Sequence, residues 1–164
     1  AVYVVLNFAG TVRLGWINIS VASLPVIVGA MLYGPVGGLL VGLLGAFMGQ
    51  LLTYGVTATT ILWILPQAAR GLLVGVYAKH CGYKFSSGQL TLALIGTALV
   101  VTALNTGAMY IDSVIYNYYS YAYVFGGLVV RIISGAATAV LMVFVAPPVV
   151  NLLNRSLDTV RTAQ

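Results

Sequence analysis

Arg70 lies in the middle of an apolar run at positions 61–78, Arg131 inside another at 123–150, and Arg13 just after a first run at 1–10. A guanidinium at bilayer depth costs at least about 2.5–3.5 kcal/mol on insertion scales, so such residues face a partner, a cavity or a ligand. The chain holds two carboxylates, Asp112 and Asp158, too few to neutralise three embedded cations. The guanidinium fork binds carboxylate or phosphate through paired hydrogen bonds and keeps its charge when desolvated. The chemistry indicated is recognition of an anionic ligand.

Aromatic and amide side chains surround these cations in sequence. Trp63, Gln67 and Arg70 are four and three residues apart, which puts them on one face of a helix. Tyr and Trp offer flat apolar area with a polar edge, which suits a conjugated ring. The run Tyr116-Asn117-Tyr118-Tyr119-Ser120-Tyr121-Ala122-Tyr123 fits either a stacking surface or an interfacial aromatic belt. Arg13 can snorkel to headgroups, and Asp112 can pair with Arg13 or Arg131. Arg70 is too deep in its run for snorkelling and is the strongest single candidate.

Catalysis finds little support. One histidine and two carboxylates supply few acid–base pairs. His80-Cys81 offers at most two metal ligands and reads as a turn, and a single cysteine excludes an intrachain disulfide. No Gly-x-x-x-x-Gly-Lys-Ser/Thr loop is present, so the chain is not expected to hydrolyse ATP. No cofactor or metal is expected.

These residues sit in a chain built for lipid. Of 164 residues, 61% are hydrophobic and 5% charged, against about 25% charged in a soluble domain. The net charge of +5 is too scattered for the basic stripe that nucleic acid requires. Punctuation by Gly, Pro and polar residues divides the chain into six apolar segments: 1–10, 21–32, 36–52, 61–78, 89–111 and 123–150. The first is shorter than the ~20 residues of a span, so further residues are expected before Ala1; a signal peptide is not expected. Tyr33-Gly34-Pro35 is a turn whose proline suits a helix start. Positions 11–20 are expected to form irregular backbone lining a cavity. Pro147-Pro148 weaken the end of the sixth segment, and 151–164 form a polar tail.

The expected fold is an all-α integral membrane protein, a single six-helix domain over 1–164. Lys79, Lys84, Arg155 and Arg161 then collect on one side, which sets both termini in the cytoplasm. The connections at 11–20, 53–60 and 112–122 fall outside, polar and aromatic, as a cap over an outward-facing pocket.

The third segment is unusually smooth. Gly38 and Gly42 are four apart, as are Gly45 and Gly49, and as are Gly71 and Gly75. Such spacing lets membrane helices approach closely, either inside the bundle or against another subunit.

The stretch Leu24-Pro25, then Gly29-Ala30-Met31-Leu32-Tyr33-Gly34-Pro35-Val36-Gly37-Gly38, then glycines to Gly49, resembles the best-marked segment of the S components of energy-coupling factor (ECF) vitamin transporters, in a folate/pantothenate-like subgroup. Length and six-segment order extend the resemblance over the chain. It implies a high-affinity vitamin binder that topples in the membrane and docks on a membrane coupling subunit carrying two ATPase subunits. That family's docking face carries alanines four apart on the first helix; here the register reads Ala1, Val5, Ala9, so its middle position departs. Gly38, Gly42, Gly45 and Gly49 are the other docking candidates.

The resemblance also implies a ligand near the outer surface, beneath the outer loops. Candidates in those places are Arg13, Trp16, Asn18, Tyr54, Trp63, Gln67, Arg70, Asn105, Tyr110, Tyr121 and Arg131, with Thr57 beside them. Arginines among aromatics favour folate; pantothenate offers one carboxylate and no ring, and cobalamin needs a wider mouth. The rival class is a self-sufficient secondary transporter or channel for a small anion, which usually shows internal repeats and intramembrane carboxylates. No repeat is visible, and Asp112 alone lies near the membrane.

Overall fold

The computed structural model describes residues 2–9, 11–14, 17–83 and 87–162. Helix α1 (Val2–Ala9) leads into an antiparallel pair, β1 (Thr11–Leu14) and β2 (Ile17–Ser20), and a 3₁₀ turn at Val21–Ser23. The long helices follow: α2 (Leu24–Tyr54), α3 (Thr60–His80) and α4 (Ser87–Ile115). A short α5 (Tyr121–Phe125) precedes α6 (Leu128–Thr162).

Gly34 breaks α2. Its φ of 73° and ψ of −160° lie outside the helical region, in a conformation that is essentially glycine's alone. Pro35 then starts the second arm, where its fixed φ and missing N–H cost least. The two arms fold back on each other: a methyl group added at Gly29 would reach the Val41 side chain at 3.0 Å, and one at Gly38 would reach Ala30 at 2.6 Å. They correspond to the expected segments 21–32 and 36–52.

The second arm lies backbone-to-backbone on α3. Gly38 faces the Gly71 carbonyl, Gly42 the Gln67 carbonyl, and Gly75 the backbone of Gly34 and Pro35. Tyr3 of α1 lies on Gly45, and Asn7 lies beside Gly49. All four glycines of the docking expectation, Gly38, Gly42, Gly45 and Gly49, thus have close neighbours inside this chain. Ala1 lies outside the described residues, as does the side chain of Ala9.

The core joins both arms of α2 to the later helices. Ile27, Met31, Val74, Leu90, Leu94 and Met142 form its main cluster, with Tyr3, Val26, Ala46 and Ile64 in a second. Leu40, Leu52, Ile61, Leu92 and Phe144 point outward and exposed. Among the described residues, four helices are long and apolar enough to cross a membrane: Val21–Tyr54, Thr60–His80, Gly88–Ile115 and Tyr121–Leu153. The helical content and these apolar faces make the chain an integral membrane protein.

Three expectations change. Positions 11–14 and 17–20 form an antiparallel ladder rather than irregular backbone, pairing Thr11 with Ser20 and Arg13 with Asn18. The polar–apolar alternation there is the period-two signal of a strand. The polar tail is helical, since α6 continues through Pro147 and Pro148 to Thr162. Met142, Ala146 and Val150, four apart and all buried, hold that face in register despite the lost backbone bonds. The fifth segment extends beyond 111, as α4 runs on to Ile115.

Candidate functional site

The face of α3 carrying Trp63, Gln67 and Arg70 is the spine of a cleft made of three adjoining cavities. At its deep end, Gln67, Arg70, Asn105, Arg131 and Ser134 line a space of about 230 Å³. Two guanidiniums from different helices thus face one cavity. Among the described residues no carboxylate pairs with Arg70. Arg131 donates to the backbone carbonyls of Val124 and Gly127 and lies against the Met109 sulfur. Among the described residues, none of these partners carries a charge to compensate it. The break between α5 and α6 positions Arg131, because that break frees the Val124 carbonyl. A space the size of one water separates Arg70 from Ser23, Thr97 and Thr138 beneath it.

The middle cavity, about 250 Å³, is lined by Tyr3, Asn7, Gln50, Tyr54, Trp63 and Asn105, and it shares Gln67 and Asn105 with the deep one. Gln67 Oε1 is buried and without a hydrogen-bond partner. A buried acceptor left unpaired costs about 1–3 kcal/mol, so a donor arriving in this space would be held.

The third cavity, about 350 Å³, lies at the aromatic end between Tyr54, Thr59, Trp63, Asp112, Tyr116, Tyr118 and Tyr123. Asp112 is buried there. Its Oδ1 accepts from Thr59 Oγ1 and, at 3.4 Å, from Trp63 Nε1, while its Oδ2 accepts from the Tyr118 hydroxyl. The chain reaches back to make this last bond: Asn117 adopts φ 56°, and Tyr118 N–H donates to the Ser113 carbonyl at 2.9 Å. The bond to Asp112 is the main reason that the Tyr118 phenol is held above its ordinary range. Tyr118 also packs edge-on against Tyr123, with ring centres 5.4 Å apart.

The structure gathers Tyr54, Trp63, Gln67, Arg70, Asn105 and Arg131, together with Thr57, into this cleft. Tyr110 and Tyr121 line none of the three cavities. Tyr110 packs edge-on against Tyr119, Tyr121 lies on Phe125, and all but Phe125 are well exposed. The tyrosine run therefore divides, with 116, 118 and 123 turned to the cleft and 119 and 121 away from it. Trp16 lies outside the described residues, as do the side chains of Arg13 and Asn18.

Asp112 does not pair with Arg131; its partners are the three neutral donors, and Arg131 is engaged by α5. Asp112 and Tyr118 were not singled out from sequence as wall residues, nor were Asn7, Gln50 and Ser134. The available signal was a lone carboxylate in an apolar helix, six residues before a tyrosine. Residues 1–150 match the family model described as ECF transporter, substrate-specific component. No curated protein matches the chain.

Proposed function

The chain belongs to the family of substrate-specific components of ECF transporters, and from that premise we propose that its ligand is an anionic aromatic vitamin of the folate type. Members of this family are substrate-binding membrane proteins, not enzymes, and they work with the membrane and ATPase subunits of the ECF module. The proposal adds the chemical class of the substrate and the residues that hold it.

One observation carries it: Arg70 and Arg131 line a single cavity, free of carboxylates, that adjoins an aromatic cleft. Two guanidiniums match a carboxylate group, and Trp63 with Tyr54 matches a flat ring above it. The axial rise from Trp63 to Arg70 is about 10 Å, room for a ring joined to an acidic tail. In this reading α1, the two arms of α2, α3, α4 and α6 make six crossings. Both termini are cytoplasmic in a prokaryotic cell membrane, and the aromatic end faces outward. The basic residues Lys79 and Arg155 support that orientation. The ligand enters acidic end first.

The test is mass spectrometry of small molecules carried through purification, followed by titration with folate, pantothenate and cobalamin. A retained compound with a conjugated ring and a carboxylate supports the proposal; a neutral or cationic ligand overturns it.

A further inference from the structure

The mechanism of anion capture leaves Asp112 unused, and its surroundings are unusual. It is a buried carboxylate facing a cavity of about 350 Å³, at the opposite end of the cleft from the arginines. All three of its partners, Thr59, Trp63 and Tyr118, are neutral donors, and no described cation bonds to it. A carboxylate offers about four acceptor positions, so at least one remains open.

Its three donors differ in how they are held. Thr59 directly precedes α3 and Trp63 lies in that helix, whereas Tyr118 comes from the exposed link between α4 and α5. Tyr118 can withdraw without unwinding a helix. Its departure would open Oδ2 toward the cavity bounded by the rings of Tyr54, Tyr116 and Tyr123.

We propose that Asp112 reads the ring end of the ligand, accepting two adjacent N–H donors of a heterocycle, such as the amine N–H and ring N3–H of a 2-amino-4-oxopyrimidine edge, one of them in the place of Tyr118. The ligand is then two-ended: paired N–H donors at Asp112, and an acidic group about 10 Å deeper at Arg70 and Arg131. This rests on the arginine pair as the carboxylate end, but the ring end has its own test. Aliphatic acids would leave Asp112 unsatisfied, so the carboxylate acts as a filter against them.

Equilibrium dialysis of the purified protein decides it with three probes. These are 2-amino-4-oxo-6-methylpteridine (adjacent N–H donors, no acid), its 2,4-dioxo counterpart, and p-aminobenzoylglutamate (acid, no pteridine). The 2-amino-4-oxo ring is expected to bind about thirty-fold more tightly than the dioxo ring, as one or two hydrogen bonds to a charged acceptor imply. Asp112→Asn should erase that difference, and Arg70→Gln should leave it. Tyr118→Phe should preserve or sharpen it, since only the competing donor is removed. Equal binding of the two rings by wild-type protein, or binding of neither, overturns the proposal, whether or not Asp112→Asn folds. If p-aminobenzoylglutamate is indifferent to Arg70→Gln, the acidic end fails while the ring preference still stands or falls by itself.

Discussion

Gly38 and Gly71 face each other with nothing but backbone between them: a Cβ on Gly71 would overlap the carbonyl oxygen of Gly38, and the reverse clash is nearly as severe. This contact brings the second arm of α2 against α3 and so fixes the height and rotation of Trp63, Gln67 and Arg70.

Gly71→Ala should therefore destabilise the folded protein by about 1–3 kcal/mol, the usual cost of overpacking. Gly96→Ala is the contrast, because a methyl group at Gly96 meets open space. That variant should be neutral or stabilising by up to about 1 kcal/mol, as helical Gly→Ala changes are. Thermal unfolding in one detergent checks both, and equal effects would contradict the packing described.

Gly34→Ala should cost about 1–3 kcal/mol, through the forbidden φ/ψ of the break in α2. The added methyl would also lie 2.7 Å from the Tyr83 hydroxyl. Combining Gly34→Ala with Tyr83→Phe should recover little stability if backbone strain dominates. Full recovery would assign the cost to the side-chain clash instead.

Arg70→Ala should weaken binding of a carboxylate ligand about 100-fold, as expected for loss of a paired, charge-assisted hydrogen bond. The protein should still insert and stay monodisperse, because no described carboxylate depends on Arg70. Arg70→Lys should restore only part of the affinity, since an ammonium cannot form the fork. Calorimetry on purified variants reads the result, and unchanged affinity in Arg70→Ala would sink the assignment.

The Tyr118 bond predicts a pH dependence with a definite sign. Asp112 holds the Tyr118 phenol above its ordinary value of 10.0, so the folded protein binds that proton more tightly than the unfolded chain. The resulting stabilisation is fully present below about pH 10 and declines as pH rises above the unfolded phenol's range. The stability difference between wild type and Tyr118→Phe should be flat from pH 7 to 9 and shrink above pH 10. Growth of the difference in alkali would show the sign to be wrong.

Much of the scaffold is legible from residue order, and for identifiable reasons. Apolar runs long enough to be solvated by lipid marked the positions of α3 and α4, and Gly34-Pro35 marked the reversal in α2. The spacing of Trp63, Gln67 and Arg70 placed them on one helix face, since 3.6 residues per turn leaves no other arrangement. Partnership across helices was not legible. Nothing local to Asp112 says that Thr59, 53 residues earlier, will meet it, or that Arg131 will turn to a carbonyl of α5. The strands at 11–14 and 17–20 leave an alternation of only four residues each, which irregular backbone lining a cavity also produces.

The glycine seam between α2 and α3 limits how this protein can be redesigned. A contact made of backbone has no side chain to trim, so the gap between those two helices cannot be widened by substitution; it can only be forced apart. A larger cargo must find its room on the opposite wall, at Thr102, Asn105 and Ser134 of α4 and α6, or at the tyrosines above them. Selection for new substrates should leave Gly38, Gly42, Gly71 and Gly75 untouched while the far wall varies.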